Sequence, residues 1–124
     1  MGEIKSYKDL FVYQKGLDLV NDIYEVTRGF PKEEIFGLSN QMRRAAVSVP
    51  SNISEGYGRD STKNYTQFLK ISKGSLFELE TLLIISANQK FISEKIMEEI
   101  SVKIHEIGKM LTTLIRNIEK PSKQ

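Results

Sequence analysis

The chemistry open to this chain begins with its cations. Between Arg43 and Lys73 lie six of them, Arg43, Arg44, Arg59, Lys63, Lys70 and Lys73, against the two acids Glu55 and Asp60, although the whole chain carries a net charge of only +2. A local excess of this kind suits a polyanion whose phosphates are held by charge and not by base sequence. At helical spacing Lys63, Lys70 and Lys73 share one side of their segment, Arg59 precedes them in a turn, and Arg43 lies on the segment before. These five are the candidate contacts to RNA or DNA, each weak and salt-dependent. A second set offers hydrogen bonds: Gln41, Arg44, Ser48, Asn52 and Glu55 step by three and four residues, which aligns them as a polar stripe on one flank of a helix. Ser48, Asn52 and the neighbouring Ala45 and Ala46 are short and let another backbone come close. The stripe therefore predicts a contact surface for a second subunit or a partner helix, with each polar group needing a partner once buried.

Catalytic chemistry has little to work with. Cysteine is absent, which removes thiol nucleophiles, thiolate metal sites and disulfides. The single histidine, His105, has Val102 three residues before it, so the Glu-x-x-His pairs of di-metal bundles are missing, and it falls opposite the apolar face of its helix. Gly56-Tyr57-Gly58 is a helix stop and not the Gly-x-x-x-x-Gly-Lys cradle of a phosphate loop. Glu78 and Glu80 are two apart and do not share a helix face. Most of the five Tyr and six Phe sit at core spacing. The expectation is a protein that is not an enzyme, with no cofactor and no metal. The opening MGEIKSYKDLF lacks the pattern of a signal peptide, and no apolar run approaches a membrane span, so a cytoplasmic location is expected.

The elements that must carry these residues read as four helices in one domain over 1–124. The first, about 7–28, has a stripe at Leu10, Tyr13, Leu17, Val20, Tyr24 and Thr27, widened by Val12, Leu19, Ile23 and Val26, and Ser6 with Asp9 forms a capping box. Gly29 ends it, and after a turn of about three residues Pro31 with Glu33 and Glu34 opens the second, 31–56. That helix turns Leu38, Met42, Ala45, Val49, Ile53 and Gly56 inward, and sets Arg43, Val47, Pro50 and Ser54 opposite. Because the apolar spacing continues past Pro50, the proline predicts a kink and not a stop. Asp60 or Ser61 caps a third helix, 62–88, and Ser93 a fourth, 94–118, whose stripe runs Ile96, Ile100, Ile104, Ile107, Leu111, Leu114 and Ile118. The closing KPSKQ frays. Long helices joined by short turns give an all-α, up-down-up-down antiparallel four-helix bundle with a kinked second helix.

Three runs, LFVYQKGLDLVNDIYEVTRGFP, FGLSNQMRRAAVSVPSNISEG and YTQFLKISKGSLFELE, occur in this order. Together they resemble the 23S rRNA intervening-sequence proteins, bacterial four-helix proteins that also include the accessory variability determinant of diversity-generating retroelements. The resemblance covers about residues 9 to 92 and is most specific in QMRRAAVSVPSNISEG followed by GSLFELE. It implies a four-helix bundle assembling as a homopentamer and associated with nucleic acid: rRNA insertions in one branch, a reverse transcriptase and its RNA in the other. It implies no catalytic residues. A structural or adaptor oligomer, binding a protein partner without touching nucleic acid, is the alternative.

Overall fold

The computed structural model describes residues 4–121. Residues 1–3 and 122–124 lie outside them, and with the latter most of the closing KPSKQ that is expected to fray. Four helices carry the chain, α1 (Phe11–Thr27), α2 (Leu38–Tyr57), α3 (Thr62–Asn88) and α4 (Glu94–Glu119), with no strand among the described residues. Both long C-terminal helices start where their serines predict. The Ser61 hydroxyl accepts the amide of Asn64 and the Ser93 hydroxyl that of Ile96, so each satisfies an amide that the first turn leaves without a carbonyl.

The first two helices begin later than the sequence suggests. The Ser6–Asp9 capping box is present, but it closes a single 3-10 turn, Tyr7–Asp9, and the chain extends at Leu10 before α1 starts. Pro31 and its two acids likewise open only a 3-10 turn, Lys32–Glu34. The connection from α1 to α2 therefore runs from Arg28 to Gly37, well beyond the short turn expected. A proline followed by acids suits the first turn of any helix and carries no information on its length. The true start of α2 is set by Glu34, whose Oε1 accepts the amide of Leu38 at 3.1 Å. A Cβ on Gly37 would stand 3.0 Å from that oxygen, so the glycine makes room for the cap.

Cross-helix pairs fix the arrangement. Gly16 packs on Pro50 and Thr27 meets Arg43; Met42 meets Ser86 and Gly56 meets Phe68. Leu76 lies over Gly108 and Lys70 meets Glu119, while Lys15 meets Glu106 and Asp22 meets Lys103. In each case low numbers on one helix face high numbers on the next, so successive helices run antiparallel and α4 returns to α1. The core between them holds Leu19, Ile23, Met42, Val49, Ile53, Leu69, Leu76, Leu79, Leu83, Ile104, Ile107 and Leu111, all fully buried.

Two inward assignments and one outward one need correction. Leu17 is 42% exposed, and α1 instead buries Val12, Gly16, Leu19, Ile23 and Thr27. Ile96 is also exposed. Pro50, expected opposite the core, is buried, because α2 has a neighbour on each side and the proline ring is the α1 side's contact with Gly16. The helix continues through Pro50 to Tyr57, as the apolar spacing required. No helix among the described residues is long and apolar enough to cross a membrane.

Candidate nucleic-acid interface

The five cations singled out in the sequence have different surroundings. Arg43 is half-buried: its Nε donates to Thr27 Oγ1 at 2.8 Å and its guanidinium lies 4.6 Å from the centre of the Tyr24 ring, so it latches α2 to α1. Arg59 pairs with Glu55 at 2.9 Å and stacks 4.8 Å over Phe68. Lys63 is exposed on the first turn of α3. Only Lys70 and Lys73 come together in one place, on the rim of a groove between α3 and α4.

That groove is two adjoining hollows that share Lys73 and Thr112. One, of about 420 Å³, is lined by Lys73, Leu76, Phe77, Ile104, His105, Gly108, Lys109, Thr112 and Thr113. The other, of about 710 Å³, is lined by Lys70, Lys73, Thr112, Ile115, Arg116, Asn117, Glu119, Lys120 and Pro121. Its floor is aliphatic, from the buried Leu76, Ile104 and Ile115. Gly108 also lines it, and a Cβ there would meet only Leu76 Cδ1, at 3.9 Å. Its walls carry five cations, Lys70, Lys73, Lys109, Arg116 and Lys120, against one acid, Glu119, which sits 3.0 Å from Lys70 Nζ. At the far end His105 Nε2 lies 2.7 Å from Glu80 Oε2.

The charge of α4 changes sign along its length. In its first half Glu94, Glu98, Glu99 and Glu106 outnumber Lys95 and Lys103; beyond Glu106 the cations Lys109, Arg116 and Lys120 face Glu119 alone. The acidic half is tied to α1. Lys15 bonds Glu106 at 2.8 Å and holds its carboxyl below the ordinary range, and Asp22 bonds Lys103 at 2.6 Å and raises its ammonium. The basic half is left to the groove, where an exposed strip of positive charge over an apolar floor can hold a chain of anions. Lys109, Arg116 and Lys120 were not identified from sequence. Their spacing of seven and four residues puts them on one helix face, but only antiparallel pairing brings them beside Lys70 and Lys73.

The polar stripe of α2 has a partner inside the chain. Ser48 Oγ lies 2.8 Å from Ser75 Oγ, and Asn52 Nδ2 donates to both the carbonyl and the hydroxyl of Ser48. One step inward the buried Ser72 hydroxyl donates to the carbonyl of Val49 at 2.9 Å. The backbone that the short side chains admit is that of α3. Gln41 and Arg44 stay exposed on the rim of a shallow hollow shared with Ser75 and Glu78, and Glu55 is engaged by Arg59.

The sequence profile of a family described as 23S rRNA-intervening sequence protein matches residues 8–113. Among solved structures, the chain is similar to a protein of unknown function from the S23 ribosomal protein family of Bacteroides thetaiotaomicron. The two are 25% identical with a TM-score of 0.76, over 85% of this chain and 98% of that one. No curated protein matches.

Proposed function

The chain belongs to the 23S rRNA-intervening sequence protein family, and from that premise we propose that it is a non-enzymatic RNA-binding protein that acts as a homo-oligomer and holds phosphates in the α3–α4 groove. The observation that carries this reading is the convergence of Lys70, Lys73, Lys109, Arg116 and Lys120 from two helices on one groove with a single acid. Phosphate contacts of this kind position a strand without reading its sequence. Binding is measured against structured RNA over a range of salt. On single strands each neutralised phosphate adds a slope of about −0.7 in log K against log salt. A Lys73→Gln, Lys109→Gln, Arg116→Gln triple change should flatten that slope by about 2 and leave helicity intact. Absence of binding by the unaltered protein at about 50 mM salt, where such contacts count most, would remove this reading.

A protein contact is favoured by a different observation. Ile71 and Ile85, about four turns apart on the outer side of α3, are exposed, as are Ile35 and Phe36 in the α1–α2 connection, with Phe36 91% exposed. These apolar groups, with Gln41 and Arg44 nearby on α2, suit self-association into the pentamer that the family resemblance implies, or an adaptor oligomer for a protein partner. Light scattering tests the first: a monomer at micromolar concentration removes it.

A further inference from the structure

Phe77 is an aromatic side chain with no place in the core. It is 54% exposed and lines the same hollow as Lys73, Lys109 and His105. A phenyl face beside ammonium groups, over an aliphatic floor, combines the two elements by which proteins hold unpaired nucleic acid: cations along the backbone and a ring on which a base can stack. In a duplex the bases are already stacked and paired, and only its phosphate edge could approach such a ring.

Resting on the RNA-binding reading above, we infer that the groove takes single-stranded RNA, with one base stacked on Phe77. Its length follows from the cations of α4. From Lys109 to Lys120 the helix rises about 16 Å. At about 3.4 Å per stacked nucleotide, and nearly twice that for an extended strand, the row spans about three to five nucleotides. Gly108 lines the same hollow as Phe77 and, having no side chain, leaves room there that a larger residue would occupy.

The test uses the full chain and a labelled, unstructured RNA octanucleotide, alone or annealed to its complement, followed by fluorescence anisotropy at about 50 mM salt. The single strand should bind more tightly than the duplex. Phe77→Ala should weaken single-strand binding by about 5- to 150-fold, the range for loss of one base–aromatic stack, and leave duplex affinity and both salt slopes unchanged. Phe77→Tyr, which keeps a ring, should retain the affinity. Gly108→Leu, which fills the floor, should weaken the single strand alone. If Phe77→Ala binds the single strand as tightly as the unaltered protein, or the duplex competes equally, the stacking inference falls while the phosphate-binding reading stands. If neither RNA binds, both fall.

Discussion

Among the glycines of the described residues, Gly56 is the one where an added Cβ would come nearest to another side chain, and the consequence can be measured with one methyl group. A Cβ at this position would stand 2.8 Å from Phe68 Cβ, 3.1 Å from Tyr65 Cδ1 and 3.1 Å from the Tyr65 carbonyl oxygen. Two of these three atoms are backbone or first side-chain atoms of α3, so no rotamer change clears them; α2 and α3 must separate. Overpacking of this kind costs about 1–3 kcal/mol. Replacing glycine by alanine inside a helix returns about 1 kcal/mol, so Gly56→Ala should lower stability by a net amount of up to about 2 kcal/mol. Gly74 is the internal control. It lies within α3, is exposed, and a Cβ there meets nothing within 4 Å. Gly74→Ala should therefore raise stability by about 0.5–1 kcal/mol through backbone entropy alone. Urea unfolding followed by circular dichroism reads both, and with m of about 1–3 kcal/mol/M the midpoints should move by several tenths of a molar in opposite directions. A Gly56→Ala midpoint equal to or above that of the unaltered protein would refute the argument that this contact sets the distance between α2 and α3.

Arg43→Ala should cost about 1–2 kcal/mol in the same assay, from the lost Thr27 hydrogen bond and Tyr24 stacking, and should leave the salt slope of RNA binding where it was. Lys90 holds a φ of 66° at the end of α3, where Lys90 and Phe91 donate to the carbonyls of Ala87 and Ser86. Lys90→Gly should raise the urea midpoint by about 0.5–1 kcal/mol equivalent, since only glycine adopts that conformation without cost. The Glu106 carboxyl is held below its usual value of 4.5 by Lys15. A depressed folded value means that the pair contributes above that pH and loses its contribution as pH falls through the folded value. Lys15→Gln should accordingly differ from the unaltered protein at neutral pH and converge with it in acid, as read from urea midpoints across that range.

Local signals were legible wherever one residue settles the matter. Ser61 and Ser93 give the starts of α3 and α4, and the apolar spacing beyond Pro50 keeps α2 a single helix. What was lost depends on neighbours that sequence does not order. Leu17 scores as core in a one-sided reading of α1, yet the close partner on that helix is Gly16, which a hydrophobic count ignores. Ser48 and Asn52 read in sequence as a surface for a second subunit or partner helix, whereas in the structure Ser48 meets Ser75 of α3 in the same chain and Asn52 bonds back to Ser48, a pairing that the stripe alone does not specify. The groove was half visible for a related reason. Its α3 cations lie in a basic stretch of sequence, whereas Lys109, Arg116 and Lys120 follow an acidic one and join the first group only when α4 folds back.

The small-residue seam between α2 and α3 also orders events in time. Its partners are joined through the short turn Gly58–Ser61, so little loop entropy opposes their meeting. The α1–α4 edge instead unites the two ends of the chain and is laced on its outside by the exposed pairs Lys15–Glu106 and Lys103–Asp22, a type of bond that adds little in water. The α2–α3 hairpin is therefore expected to assemble early and open last, with α1 and α4 swinging free of each other in the native ensemble before the hairpin yields. Amide protons of Val49, Ile53, Ser72 and Leu76 should be the slowest to exchange with deuterium. Longer protection along α1 than along this hairpin would reverse that order.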